Sequence, residues 1–195
     1  MNQTQLRPME AVARRVSETI AVLTARLDSP ATGAALAHLR ANVGREPGAD
    51  PRIWHLTIDG LNPAGPPDEP SFAERAVHDA LTLWAIHQRS QSTVMHQAGS
   101  RIGSAVWILE RQRPSVSEIS PVRRRFDAAL LSRDQATLAR RLRPLVEQLR
   151  GEEIRFDYVR LAQDFFLWQM PGGADSVRRR WARDYYMGEL NENGD

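Results

Sequence analysis

The chain has 195 residues and a net charge of only +2, yet all 26 of its basic residues are arginine and none is lysine. It has no cysteine, which excludes disulfides, thiolate zinc sites and cysteine nucleophiles, and the lack of lysine excludes a phosphate-loop lysine or a Schiff base. Residues 1–15 lack the apolar core of a signal peptide, and no apolar stretch is long enough to span a bilayer, so we expect a cytoplasmic protein without membrane contact.

The positive charge is concentrated in the second half. Between Arg101 and Arg183 there are seventeen arginines against ten acidic residues, a surplus of +7, whereas the rest of the chain carries −5. A guanidinium group binds phosphate through a planar fork of donors and can stack on bases. This distribution indicates a polyanionic partner, most often nucleic acid. The alternative explanation of the many arginines is a bias toward G·C-rich codons, which favours arginine over lysine.

In the first half, apolar residues with helical spacing predict a long helix with Pro8 in its first turn and an end at residues 29–30. A second, short helix containing Leu36 and Leu39 is expected to end at Gly44. Residues 44–70 contain four glycines and six prolines, which predicts a long loop with one short element around residues 53–58.

The remaining pattern is also helical. Ser71 and Glu74 have the spacing of a capping box, followed by a helix to about residue 89. Asp134 and Asp157 are expected to cap two later helices, and Pro144 should kink or split the first of these. Further helices are predicted over residues 102–109, 122–130 and 177–187, with a linker at 113–120.

We therefore predict an all-α fold of about eight helices in two small helical bundles. The first, residues 1–112, is an N-terminal helical bundle with the Pro/Gly-rich loop at 44–70. The second, residues 113–195, is a C-terminal arginine-rich helical bundle. Large aromatic side chains on apolar stripes are expected in the core, namely Trp84, Phe126, Phe165, Trp168 and Trp181, whereas Trp54 lies in the loop.

The sequence contains little that favours catalysis. No two of the five histidines have i,i+4 spacing, and neither a nucleophile elbow nor a glycine-rich phosphate loop is present. A metal-dependent hydrolase using His78, Asp79 or Asp157 is the weakest alternative. Asp157 and Asp164 could hold magnesium with Glu152 or Glu153, but Asp157 is better explained as a cap and Asp164 as a partner of Arg160. We expect no enzymatic activity, no cofactor and no metal.

The arginines on the predicted helices differ in whether an acidic residue lies within reach. Asp127 can pair with Arg123, and Glu147 with Arg143 or Arg150, whereas Arg125 has no acid at helical spacing. The residues predicted to bind nucleic acid are Arg101, Arg123, Arg124, Arg125, Arg140, Arg143, Arg179 and Arg183. Among these, the first choices for phosphate contacts are Arg124, Arg125, Arg140, Arg179 and Arg183, which would follow a backbone without reading its sequence.

Several segments of the chain, taken in order, resemble those of a known family. They are residues 84–88, 99–105, 125–126 with 130–131, 142–146 with 149–150, 156–158, and 177–178 with 181–186. This series is similar to that of the CasB family, the small subunit of the type I-E CRISPR Cascade complex, over about residues 70–187. The family often has arginine where this chain has Ser104, and Arg101 in the adjacent turn is the candidate replacement.

The resemblance implies a non-catalytic, all-α subunit present in two copies. It implies contacts with the crRNA and the target DNA, help in holding the displaced non-target strand, and neighbours among the other Cascade subunits, the CasC backbone and the large subunit CasA. Guide pairing would then read the sequence while the protein holds the backbone. A scaffold whose arginines meet acidic protein surfaces is the alternative class of function.

Overall fold

The computed structural model describes residues 3–61, 66, 68–113 and 118–192, with residues 3–6 and 189–192 described by their backbone alone. Within these ranges the chain forms nine α-helices and one short 3-10 helix, which confirms the predicted all-α fold with one helix more than about eight. The helices are α1 (Gln3–Thr24), α2 (Pro30–Ala41), α3 (Trp54–Thr57), α4 (Phe72–His87), α5 (Ile102–Gln112), α6 (Pro121–Leu130), α7 (Gln135–Gly151), α8 (Tyr158–Trp168) and α9 (Gly173–Glu192).

Local capping determines where several helices begin, as the sequence predicts. Ser71 and Glu74 form the reciprocal capping box of α4, in which the Ser71 amide donates to Glu74 Oε2 at 2.7 Å. Asp134 accepts from the backbone amide of Thr137 at 2.7 Å at the start of α7, and Asp157 caps α8 in the same way. Each carboxylate or hydroxyl satisfies a backbone amide that has no partner within its own helix.

Three helix boundaries differ from the prediction. Helix α1 begins at Gln3, so Pro8 lies inside it, and it ends at Thr24. Ser29 does not end α1; its hydroxyl caps α2 instead, with Pro30 at the first position of that helix. Helix α9 is longer than predicted at both ends.

Pro144 does not split α7, which continues from Gln135 to Gly151. Pro144 is exposed, while Leu142, Leu145 and Val146 on both sides of it are buried where α7 packs against α4 and α6. The apolar contacts hold both turns in place and outweigh the one hydrogen bond that proline cannot donate.

Helix α4 lies at the centre of the fold. It packs against α1, α2, α7 and α8, while α5 packs along α9 and also contacts α6. The buried apolar side chains form one cluster to which helices of both halves contribute, including Trp84, Phe126, Phe165, Trp168 and Trp181, as expected. The division into two bundles at residues 112 and 113 stays a prediction, and its linker lies partly outside the described residues.

The first part of the Pro/Gly-rich loop is folded against the helices. Residues 51–53 form the 3-10 helix and lead directly into α3, where the sequence predicts one short element. The indole nitrogen of Trp54 donates to the Gly48 carbonyl at 2.8 Å, and the ring is about half exposed. Residues 62–65 and 67 of this loop lie outside the described residues.

In the part of the chain that the structure describes, residues 96 and 156 form the single parallel bridge and no β-strand occurs. No helix in this part is both long enough and apolar enough to cross a lipid bilayer.

The close packing of α5 on α9 depends on Gly103. A Cβ atom at this position would collide with the Trp181 carbonyl oxygen and lie 2.9 Å from Asp184 Cβ. We expect Gly103→Ala to lower the free energy of unfolding by about 1–3 kcal/mol because the two helices must move apart. Urea titration followed by circular dichroism measures this change.

Gly33→Ala in α2 is the matched control, because nothing lies within 4 Å of a Cβ atom there. This substitution should stabilise the protein by about 0.5–1 kcal/mol through helix propensity. Equal effects of the two substitutions would contradict the close contact at Gly103.

Candidate nucleic-acid interface

The orientation of α9 is fixed by Trp181 on its buried side. The Trp181 ring stacks with Phe126 of α6 at a centroid distance of 6.2 Å and contacts Trp168 of α8. Its indole nitrogen donates to Asp164 Oδ2 at 2.6 Å, and Arg180 binds the other oxygen of the same carboxylate. The predicted pair of Asp164 with Arg160 is therefore wrong, because Asp164 points toward α9 and not along its own helix.

With Trp181 buried, Arg179 and Arg183 face solvent on the opposite side of α9. Val177, Trp181 and Tyr185 are buried, as the helical spacing predicts. Within the described part of the chain, neither Arg179 nor Arg183 has a side-chain hydrogen bond or ion pair. Like charges at i,i+4 repel each other, so this face favours an anionic ligand.

Arg123 connects α6 to this face. Its guanidinium donates to Asp127 at 2.8 Å and to the Tyr186 hydroxyl at 3.0 Å, and it lies 4.6 Å from the centre of the Tyr185 ring. Burial lowers the pKa of Arg123, but the bonds to Asp127, Tyr186 and Tyr185 raise it by more, so the group is held charged. Tyr186 comes three residues after Arg183, so the two residues are neighbours on the surface of α9. Because Arg123 is bonded to Tyr186, its guanidinium lies on the same side of α9 as Arg183.

The two arginines that follow on α6 are exposed and have no carboxylate partner among the described residues. Arg124 forms no side-chain bond there, and Arg125 donates to the Pro121 carbonyl of its own helix at 3.3 Å. Both side chains are therefore available to a ligand.

The α7 arginines face a different part of the surface. Arg140 is exposed and donates to Thr137 Oγ1 at 3.3 Å, whereas Arg143 pairs with Glu147 at 3.1 Å, as predicted. Both line a cavity of about 260 Å³ between the loop after α2 and helices α4 and α7, which we call the α4–α7 cleft. The other polar residues in the lining include Arg45, Glu46, Arg75, Asp79 and Gln135.

Arg101, at the start of α5, is bound to protein. It donates to Asp184 Oδ1 of α9 at 2.6 Å, and the Ser104 hydroxyl donates to the Asp184 carbonyl oxygen at 3.0 Å. Arg101 and Ser104 thus both tie α5 to α9. The charge of Arg101 is thus already offset by a nearly buried carboxylate.

The eight predicted arginines divide into two groups. Arg101, Arg123 and Arg143 are paired with carboxylates. The other five form no ion pair with a described carboxylate, although Asp134 lies near enough to Arg140 for its carboxyl to feel that charge. They are the same five that the sequence placed first: Arg124, Arg125, Arg140, Arg179 and Arg183. Arg124 and Arg125 lie on α6, Arg179 and Arg183 on α9, and Arg140 lies on α7 at the cleft.

Sequence reasoning missed two arginines of the cleft. Arg45 follows α2, and Arg75 lies in the first turn of α4, where it donates to the Pro70 carbonyl at 3.1 Å and pairs with Glu46 at 3.4 Å. Both belong to the half of the chain with a net negative charge, so no local pattern marks them. Only the folded chain brings them to α7.

Asp79 forms part of the polar lining of the cleft. Its Oδ2 accepts from Gln135 Nε2 at 2.7 Å, and Oδ1 has no hydrogen bond within the described part of the chain. The pKa of Asp79 is raised to about 6, mainly because burial disfavours the charged form and to a lesser degree because Glu46 is near, while the bond from Gln135 and the charge of Arg75 oppose this rise.

The residues of the metal-hydrolase alternative are engaged elsewhere. The buried His78 imidazole bonds to the Asn42 carbonyl at 3.1 Å, and Asp157 binds backbone amides of Gly99 and Arg160. Within the described residues, no group of three or more histidine, aspartate and glutamate side chains could hold a metal ion.

In the part of the chain that the structure describes, the protein is thus of the class of all-α bundles, and it has exposed arginines without an ion pair on three helices. Residues 35–186 match the family model of the CRISPR-associated protein Cse2, which is most of the chain. The chain belongs to the Cse2 family, as its resemblance to CasB proteins predicts.

Solved structures agree with this assignment. The chain is similar to CasB from Thermobifida fusca, with 36% identity over 91% of this chain and 97% of that chain and a TM-score of 0.72. A Cse2-family protein from Thermus thermophilus has 27% identity over 88% of this chain and 97% of that chain, with a TM-score of 0.64. A chain of a CRISPR RNA-guided surveillance complex shares the fold at 22% identity, covering 98% of this chain and 99% of that chain, with a TM-score of 0.66. No curated protein sequence matches this chain.

Asp79 should make stability depend on pH. Its pKa in the folded state is about 6, above the ordinary 3.8, so the folded protein favours the protonated carboxyl. The resulting stabilisation is fully present below pH 3.8 and is lost as the pH rises through 6. Asp79→Asn removes this loss, so we expect the variant to be more stable than the parent at pH 7.5 by on the order of 2 kcal/mol, and by much less at pH 4. Urea titrations at both pH values measure the difference.

Asp59→Asn serves as the control, since Asp59 is exposed and outside the cleft lining. It should change stability by less than about 0.5 kcal/mol at either pH. An Asp79→Asn effect of the same size at pH 4 and pH 7.5 would show that burial does not shift this carboxyl.

Proposed function

We propose that this chain is a non-catalytic small subunit of a type I-E CRISPR Cascade complex that binds the crRNA and target DNA region and stabilises the displaced strand. Membership of the Cse2 family and the shared fold with a chain of an RNA-guided surveillance complex support the Cascade assignment. The observation that carries the nucleic-acid role is the set of exposed arginines without a carboxylate partner in the described part of α6, α7 and α9.

These arginines suit a phosphate backbone better than base edges. They project from separate helices, and α6, α7 and α9 are held by core packing, so their positions are set before a ligand arrives. Each guanidinium offers two parallel donors to one phosphate. Binding therefore comes from counterion release and is indifferent to sequence, as suits a complex in which base pairing selects the target.

Protein contacts are part of the same proposal. Ile119, Leu131 and Met187 of the second half are more than half exposed and so are available to a protein partner. We propose contacts with the other Cascade subunits, namely the CasC backbone and CasA, and with a second copy of the chain. Ultraviolet crosslinking within the assembled complex separates the two kinds of contact, because nucleic-acid adducts on the second half favour the first role and protein adducts alone favour a scaffold.

The arginine surface is tested by a fourfold substitution, Arg124→Ala, Arg125→Ala, Arg179→Ala and Arg183→Ala. The isolated protein should bind a mixed-sequence single-stranded oligonucleotide weakly and with a steep dependence on salt. Each lost phosphate contact lowers the log–log salt slope by about 0.7, so the variant should lose about 3 if all four take part. Fluorescence anisotropy across a salt series measures the slope, and circular dichroism checks that the helices are retained.

A control with the same change in charge substitutes alanine for four exposed arginines of the first half: Arg7, Arg14, Arg26 and Arg89. Its salt slope should remain close to that of the parent. Identical slopes for the parent and the first variant would rule out this surface as the phosphate contact.

A further inference from the structure

We infer that the α4–α7 cleft binds one unstacked nucleotide, with an amino group of its base bonded to Asp79 and its phosphate held by the arginines of the cleft. This inference rests on the proposed function, since it places one nucleotide of a bound strand in the cleft. It adds a preference between bases to a surface that otherwise contacts only the backbone.

Asp79 supplies the base contact. Gln135 occupies Oδ2 and holds the carboxylate in position, while Oδ1 is left without a hydrogen bond in the described part of the chain. An ionised carboxylate only accepts hydrogen bonds. Cytosine presents an exocyclic amino donor, whereas uracil and thymine present a carbonyl oxygen at the same position. Asp79 therefore favours cytosine over uracil.

The arginines supply the phosphate contact. Arg45 and Arg140 form no ion pair in the described part of the chain, and Arg140 has only the charge of nearby Asp134 to offset its own. Arg75 and Arg143 are paired with Glu46 and Glu147, whose side chains are 62% and 46% exposed. Exposed pairs of this kind contribute little to stability, so these guanidinium groups can turn to a phosphate at small cost.

The rest of the lining fits a planar ring. Apolar side chains, among them Val43, Leu83 and Ala139, line the same cleft as the carboxylate and the arginines. The volume of about 260 Å³ is slightly below the roughly 300–1,000 Å³ of drug-sized ligand sites, which suits a single base with its sugar.

Other occupants match only half of this lining. A carboxylate from an acidic peptide suits the arginines but is repelled by Asp79. A basic side chain suits Asp79 but is repelled by four arginines. A nucleotide carries a donor and an anion on one small molecule and so satisfies both parts.

The test compares the binding of CMP, UMP and cytidine to the full chain by isothermal titration calorimetry at pH 7.5, above the pKa of Asp79 of about 6. CMP should bind about tenfold more tightly than UMP because UMP places an acceptor against Asp79. Cytidine, which lacks the phosphate, should also bind at least about fivefold more weakly than CMP.

Asp79→Asn replaces the carboxylate oxygen that faces the base with an amide nitrogen, which donates a hydrogen bond. The preference for CMP over UMP should therefore disappear or reverse. The variant is expected to be more stable than the parent, so unfolding cannot explain this result. Asp59→Asn, outside the cleft lining, should retain the preference.

Several outcomes would overturn the inference. These are equal binding of CMP and UMP by the parent, no binding of either, retained preference in Asp79→Asn, or inorganic phosphate that competes as well as CMP. The proposed function is judged separately by oligonucleotide binding and its salt slope. A parent protein that shows no preference for CMP but binds the oligonucleotide rejects the cleft alone, whereas absence of oligonucleotide binding by the parent rejects the proposed function.

Discussion

Burial of Trp181 is the constraint on which the arrangement of the second half depends. Its ring lies between α6 and α8, its indole nitrogen is bound to Asp164, and its carbonyl oxygen lies over Gly103 of α5. One residue thus fixes α9 against three other helices. Burial of one side fixes the rotation of a helix about its own axis. The same contacts therefore decide which arginines of α9 face outward.

Arginine serves two separate purposes in this chain. Arg178, Arg180 and Arg101 hold the fold together: Arg178 binds backbone carbonyls at the end of α6 and stacks over Trp168, while Arg180 and Arg101 pair with aspartates. Others, such as Arg179 and Arg183, contribute no bond within the described chain. The charge surplus of the second half therefore overstates the number of cations available to a ligand. Removing an arginine of the first kind damages the core, which is why the exposed ones are informative about function.

Much of the fold could be predicted because its signals are local. The capping box of α4 and the caps of α7 and α8 involve residues three positions apart, and helical spacing identifies the buried face of each long helix. Local rules failed where a tertiary contact competes with a local one. Pro144 was expected to kink or split α7, but the helix continues through it with buried side chains on both sides. Asp164 was expected to pair within its helix but binds α9.

The candidate site was predictable to a lesser degree. Acids at helical spacing correctly indicated that Arg123 and Arg143 are paired, and the absence of such acids separated Arg125 from them. The partner of Arg101 is 83 residues away in sequence, so no spacing rule could find it. The cleft could not be predicted from the sequence either, because Arg75 and Arg140 come to line one cavity only when α4 packs on α7.

The bonds of Arg178 have a consequence for any ligand that lies across both α6 and α9. This residue joins the C-terminal end of α6 to α9 through bonds to the Leu130 and Ser132 carbonyls. The distances between cationic groups on these two helices are set in advance by the protein interior. A flexible polymer bound across α6 and α9 would have to adjust its own contour to these distances.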